Sequence, residues 1–304
     1  MNKTDFFNSI FDMVKATLST SGIDASVETH EVAKPNGITL TGLIVKDSAS
    51  NIAPTIYLDD YYKRFCDGLL SLEDAASEII DVYSHHKKDS IEIGWIQDFT
   101  QVKDKIIPCI CNASMNEEYL KSHPSTSFLD LSIYYRIQVS DDVMKLPDSE
   151  ATIAVTNQLA DMWNINADEL FTLAFNNAKS ISPASFRTMA EIMREMMADT
   201  SDIADEIFGP SPMYVLSSSS KTNGAIWMVD SEILSTIATQ LDDDFYLLPS
   251  SRHETILIPT AFTSDEQNLK DMIREVNDTQ VSEEDLLSYS LYRYHRDIGE
   301  LQIA

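Results

Sequence analysis

The chain has 304 residues, of which 43% are hydrophobic and 23% charged; that suffices for one large or two ordinary domains with a real core and excludes wholesale disorder. Its 49 acidic residues against 22 basic ones leave a formal charge of −27, which argues against nucleic-acid binding, because a phosphate backbone is gripped by Lys and Arg displacing counterions. Three cysteines, Cys66, Cys109 and Cys111, are too few and too odd in number for a disulfide framework. No secretory leader is evident in "MNKTDFFNSI", and no run approaches the roughly 18 apolar residues of a membrane span, so a cytoplasmic protein without membrane attachment is expected.

In chain order, Phe7, Ile10, Phe11, Val14 and Leu18 make a helical stripe that starts at a Thr4 cap and is closed by Gly22. "ASVETHEVA" and "ITLTGLIV" flank Lys34-Pro35-Asn36-Gly37, and Asn-Gly between extended runs predicts a hairpin. "APTIYLDDYYKRF" reads as a third strand running into a polar turn or short helix, and Ser71-Leu72-Glu73-Asp74 as a capping-box variant opening "LEDAASEIIDVYSHH". These form an α-β-β-β-α unit over residues 1–90, closed by a charged connector at Lys87–Ser90.

The rest, 91–304, reads as an α+β domain. "KIIPCIC" and "FLDLSIYYRIQV" are strands, Ser114 caps a short helix, and Asn166 caps "LFTLAFNNA". Ser182-Pro183 is expected to open one helix through "ASFRTMAEIMREMMAD", completing a central helical block at about 156–207. "MYVL", "GAIWMV", "FYLL" and "HETILIP" are expected strands of a C-terminal sheet at about 210–304, with Asp230 capping an intervening helix. A helix over Ser264–Val276 and a strand-like "LSYSLYRYHR" follow. Strand meanders broken by helical blocks predict α+β, with antiparallel or mixed sheets in two packed subdomains.

The stretches "TIYLDDYYKRF", "DLSIYYRIQV", "NINADELFTLAFNNA", "GAIWMVDSEIL", "FYLLPSSRHETILIP" and "LSYSLYRYHRDIGEL" resemble, over nearly the whole chain, a family of gut Firmicutes and their mobile elements catalogued as a domain of unknown function. They also look distantly like a second family of bacilli that pairs a similar N-terminal hairpin unit with a Pro-Ser-Arg turn. That resemblance implies a fold and a host class but no activity, cofactor or catalytic residue. His253 departs from the acidic residue expected in the bacillary turn.

Arg252, His253 and Glu254 combine a cation, an imidazole and a carboxylate, but neighbours on a strand point to opposite faces, so a hairpin tip is favoured over an acid–base site. Tyr57 and Asp59, with Asp60, Tyr61 and Tyr62, place carboxylates beside phenols, a pattern more often a capping Asp among core aromatics than a ligand corner. Ser218-Ser219-Ser220-Lys221 has S-x-x-K spacing without its companion motifs. Cys109 and Cys111 share a strand face with His123 twelve residues on, yet no second ligand pair completes a zinc site, and His85-His86 at a helix end suit its final carbonyls. Eight glycines at unrelated spacings form no phosphate loop. No catalytic residue, metal or cofactor is therefore assigned.

Met189, Met193, Met196 and Met197 fall on one helical stripe, which packs into a core or docks a partner. The leading expectation is a non-enzymatic soluble protein acting through protein contacts, as an accessory protein of a mobile element, with a basic partner. Two alternatives stand beside it: an acidic nucleic-acid mimic inhibiting a host defence or DNA-processing protein, and a hydrolase or small-molecule binder using the 250–254 turn.

Overall fold

The computed structural model describes residues 1–47, 55–86, 94–139, 152–196 and 213–304. The chain is α+β. Met1–Gln101 fall in one compact unit and Val102–Gln138 with Thr152–Ala304 in a second.

In the first unit, α1 (Lys3–Thr20) is capped by Asn2, whose side chain accepts the Asp5 N–H at 2.8 Å, two residues before the expected Thr4. Phe6, Ile10, Val14 and Leu18 are buried at four-residue spacing, whereas Phe7 and Phe11 are only half-buried. The stripe thus runs through Phe6, because one turn of 3.6 residues places it in line with Ile10. Gly22, at φ +69, ends the helix. Strands β1 (Ala25–Ala33) and β2 (Thr39–Asp47) pair antiparallel around Pro35-Asn36-Gly37, where Asn36 and Gly37 take φ +65 and +68. Both values lie in the left-handed region that Asn and Gly tolerate best. Strand β3 (Thr55–Tyr57) joins β2, and α2 (Leu58–Cys66) and α3 (Leu72–His86) follow. Ser71 Oγ accepts the Asp74 N–H at 3.1 Å and donates to its carboxylate at 2.7 Å, so the cap forms as expected. The core of the unit is Phe6, Ile10, Leu43, Leu58, Ile79 and their neighbours. The connector Lys87–Ser90 and the side chains of His85 and His86 lie outside the described residues. Short helices α4 (Gly94–Gln97) and α5 (Phe99–Val102) come next.

The second unit contains two sheets. Strands β4 (Ile106–Asn112), β5 (Ser125–Phe128), β6 (Leu131–Gln138) and β7 (Thr152–Ala154) form the first, in which β6 pairs with all three others. Helix α6 (Glu117–Lys121) lies between β4 and β5. Helix α7 (Asn157–Trp163), at the start of the helical block expected from about residue 156, is capped by Thr156, and α8 (Ala167–Ile181) carries a full capping box between Asn166 and Glu169. Asn177 on α8 donates to the Lys103 and Ile106 carbonyls at 2.7 and 2.9 Å, fixing the helix against the start of β4.

The single helix expected after Ser182-Pro183 does not form. Ser182 instead terminates α8, and Ala184–Thr188 is a strand, β8. β8 pairs with β9 (Tyr214–Ser218), and Phe186 stacks on Tyr214 at 5.1 Å. The helix α9 (Met189–Met196) begins at a Thr188–Glu191 box, in which Thr188 Oγ1 accepts the Glu191 N–H at 3.2 Å and the Glu191 carboxylate accepts the Thr188 N–H at 2.8 Å. "GAIWMV" is likewise not a strand but a 3-10 turn over Gly224–Val229. Its residues through Met228 are all buried, and a short continuous apolar run carries no period by which to separate strand from helix.

Asp230 caps α10 (Ser231–Leu241) as expected, and Asp265, one residue past Ser264, caps α11 (Glu266–Thr279). With β10 (Phe245–Leu248), β11 (Glu254–Pro259), β12 (Tyr292–His295) and β13 (Glu300–Ile303), the second sheet runs β13-β12-β10-β11-β9-β8, every pair antiparallel. Before β12, the alternation in "LSYSLY" sends Ser288, Ser290 and Tyr292 to one carboxylate, Asp130, at 2.7, 2.9 and 2.7 Å. Asp130 sits at the β5–β6 turn, so this cluster ties the first sheet to the second within the unit. Tyr292 is fully buried, and burial pushes its phenol far above its ordinary range, keeping it a donor. Tyr292→Phe removes one hydrogen bond to a charged acceptor and is expected to lower unfolding free energy by about 1.5–3 kcal/mol in urea titrations.

Candidate functional site

The 249–254 tip is where the sequence concentrates titratable groups, and its geometry follows from what its backbone must satisfy. The His253 carbonyl accepts from Ser217 Oγ at 2.8 Å and from the Gly224 N–H at 3.0 Å, and the Arg252 carbonyl accepts the Ala225 N–H at 3.2 Å. The tip is therefore sewn onto the 3-10 turn. A Cβ on Gly224 would lie 2.3 Å from the Ser218 nitrogen and 2.5 Å from the His253 oxygen. Only glycine fits there.

The side chains then converge on a residue that the sequence did not mark. Arg252 Nε donates to Asp285 Oδ1 at 2.8 Å and His253 Nε2 lies 3.1 Å from the same oxygen, while Ser282 donates to Oδ2 at 2.8 Å. The Arg252 N–H also donates to the Asp285 carbonyl at 2.9 Å. The Asn223 N–H donates to His253 Nδ1 at 3.2 Å, which assigns the ring proton to Nε2, facing the carboxylate. Arg252 Nε and His253 Nε2, 3.4 Å apart, are then two donors sharing one acceptor and not partners of each other. The bent tip thus lets adjacent residues reach one group, which a regular strand forbids. Glu254 takes no part: it is exposed and begins β11.

The His253 hydrogen bond chiefly, with the Ser282 hydrogen bond and the Arg252 charge, holds the Asp285 carboxyl well below the usual carboxylate range against the opposing effect of burial. Nucleophilic catalysis requires the imidazole nitrogen opposite the carboxylate to face a hydroxyl or thiol. Here a peptide N–H occupies it. Ser218 Oγ donates to the Thr222 carbonyl at 2.7 Å, and Lys221 reaches the Glu195 carboxylate at 3.3 Å, so the S-x-x-K spacing brings no lysine to a serine.

The other candidates are placed as follows. Asp59 in the first unit accepts the Thr41 N–H and the Lys3 ammonium, each at 2.7 Å, and Lys34 Nζ lies 4.2 Å over the Tyr57 ring. Tyr57 and Asp59 belong to a different unit from the 252–254 tip. Cys109 and Cys111 are buried on one face of β4; burial pushes the Cys111 thiol up to about 12, which opposes the thiolate that a metal requires. His123 stacks on Tyr119 at 3.9 Å and bonds the Tyr119 carbonyl through Nδ1 at 2.7 Å. Among the described residues no group of three His, Cys, Asp or Glu could hold a metal ion. Met189 and Met193 are half-buried on α9, which ends at Met196; Met197 lies outside the described residues. A cavity of about 30 Å³ between α11 and the β10–β11 end, walled by Leu248, Pro249, Ile256, Met272 and Val276, has room for a water and not for a substrate.

Fold and site together define an acidic α+β protein whose most chemically suggestive cluster fastens a hairpin tip. The chain belongs to a family of unknown function, DUF5688, whose model matches residues 3–296. No curated protein and no solved structure matches it. Among the described residues no helix is long and apolar enough to cross a membrane.

Two outcomes are expected for the tip. Gly224→Ala forces backbone apart and is expected to cost roughly 2–4 kcal/mol by chemical denaturation. Asp285→Asn is expected to cost about 1–2 kcal/mol at neutral pH, after allowance for partial exposure. A depressed carboxylate contributes stability above its unfolded value, so the gap between wild type and Asp285→Asn should persist above about pH 4 and narrow as pH falls below it, as read from paired melting curves.

Proposed function

We propose that this is a non-enzymatic binding protein of the bacterial cytoplasm that acts on a basic protein partner. The observation that carries this reading is the face built by α11 and the loop after it. From Asp265 to Glu284 the chain has seven carboxylates against Lys270 and Arg274, the next one, Asp285, being held by Arg252 and His253. Both cations already lie near carboxylates of their own helix, Lys270 4.0 Å from Glu266 and Arg274 3.2 Å from Asp271. Glu275, Asp278 and Glu283 are exposed beyond them. Such a face steers a basic surface toward it and repels anionic ones. The resemblance to a family of gut Firmicutes and their mobile elements supports an accessory role in such an element. The engagement of His253 by a peptide N–H favours this reading over hydrolysis at the tip.

The test is capture of tagged protein from a gut Firmicute lysate at low and high salt, followed by titration of the purified partner against wild type and a Glu275→Lys, Asp278→Lys variant. A basic partner released by salt, and bound at least tenfold more weakly by the variant, is expected, since exposed charges are screened beyond about 8 Å at physiological ionic strength. Absence of any basic partner at low salt, or unchanged affinity in the variant, would overturn the reading.

A further inference from the structure

The cleft between α11 and the β10–β11 end is too small for a free substrate, but its size, walls and rim each specify part of an occupant. Its volume is about 30 Å³. A water needs roughly 10–15 Å³ of such space, so the cleft takes about two groups of methyl size. Leu248, Ile256, Met272 and Val276 make its walls apolar, and the last three are only half-buried, so it is reached from solvent. It therefore admits the tip of a short side chain.

One wall carries an unsatisfied acceptor. Asn277 is 5% exposed and its Nδ2 donates to the Ser288 carbonyl at 2.9 Å, which fixes the orientation of the amide. Its Oδ1 is buried and accepts no hydrogen bond among the described residues. A buried acceptor without a donor is costly, and an occupant that brings an O–H removes the cost.

Acids flank the cleft from both elements. Alternation puts Glu254, which takes no part in the Asp285 cluster, on the face of β11 that carries Ile256. On α11, Glu275 lies one turn from Met272. Both carboxylates are exposed, so the cleft sits between negative charges that complement cations on either side of an inserted side chain.

We propose that this cleft is the anchor pocket for the basic partner, and that the partner seats a threonine in it between lysines or arginines. The methyl meets the apolar walls, the hydroxyl donates to Asn277 Oδ1, and the flanking cations face Glu254 and Glu275. Serine would leave the apolar half empty, and valine would leave Oδ1 without a donor. The assignment rests on the acidic-face reading for the partner's charge and adds the side chain by which that partner is recognised.

Methionine-methyl NMR on the full chain tests it, with Met272 assigned through Met272→Leu. The ligands are acetyl-Lys-Lys-Thr-Lys-Lys-amide and the same peptide with Val or Gly at the centre. A saturating Met272 shift is expected with the Thr peptide and none with the Gly peptide. The isosteric Val peptide is expected to bind about threefold or more weakly, for want of one neutral hydrogen bond. Val276→Leu narrows the cleft and should reduce the Thr peptide to the level of the Gly peptide; if that variant does not fold, the three peptides on the wild-type chain decide. Binding of all three by calorimetry with Met272 unmoved would overturn the anchor and leave the acidic face standing, whereas binding of none would overturn both. A Val peptide that binds as tightly as the Thr peptide, or undiminished binding by Val276→Leu, would also overturn the assignment.

Discussion

Three hydroxyls on one carboxylate, at Asp130, hold the second unit together. Ser288, Ser290 and Tyr292 leave the segment before and at the start of β12 on one side and meet a residue 158 to 162 positions earlier in the chain. Asn112 adds a donation to the Leu287 carbonyl at 3.1 Å, and Asn277 one to the Ser288 carbonyl at 2.9 Å, so the same segment is bonded from β4 and from α11. Bonds to a charged acceptor are roughly twice as strong as neutral ones, and with three hydroxyls oriented toward it the carboxylate is well satisfied. The six-stranded sheet, the 3-10 turn and the hairpin tip are all built on a chain whose course this junction sets.

Asp285 repeats the device on a smaller scale. It gathers Arg252, His253 and Ser282 where the hairpin tip meets the loop after α11, and Asp244 does the same for Arg293 and the Arg296 N–H, each at 3.0 Å. An acidic chain thus spends part of its charge as internal cross-links in loops, where backbone ladders are unavailable. Exposed acids such as Glu275, Asp278 and Glu283 are the ones that bear on partner choice.

Legibility in the sequence followed the distance over which each feature is decided. The Asn36-Gly37 hairpin, the Asn166 box and the Asp230 cap are set within four residues, and each formed where the residues said it would. The helix expected after Ser182 failed because the pairing of 184–188 with β9 outweighed a local cap that was equally good as a terminator. The Thr188–Glu191 box that starts α9 instead spans only four residues. Asp285 was invisible as a partner of Arg252 and His253 because 32 residues separate it from His253 and nothing local connects them.

The two Asn-Gly steps in this molecule face different chemical futures. Slow ageing of such a step begins when the glycine nitrogen attacks the asparagine side-chain carbonyl, expels ammonia and closes a succinimide that reopens as aspartate or isoaspartate. At Asn223-Gly224 that nitrogen is buried and its hydrogen is held by the His253 carbonyl, so the attacking group is restrained. At Asn36-Gly37 the step lies at a hairpin tip where Gly37 is exposed. Old protein should therefore accumulate its added negative charge at residue 36, on the first unit, while the step under the Arg252–His253 tip keeps its amide.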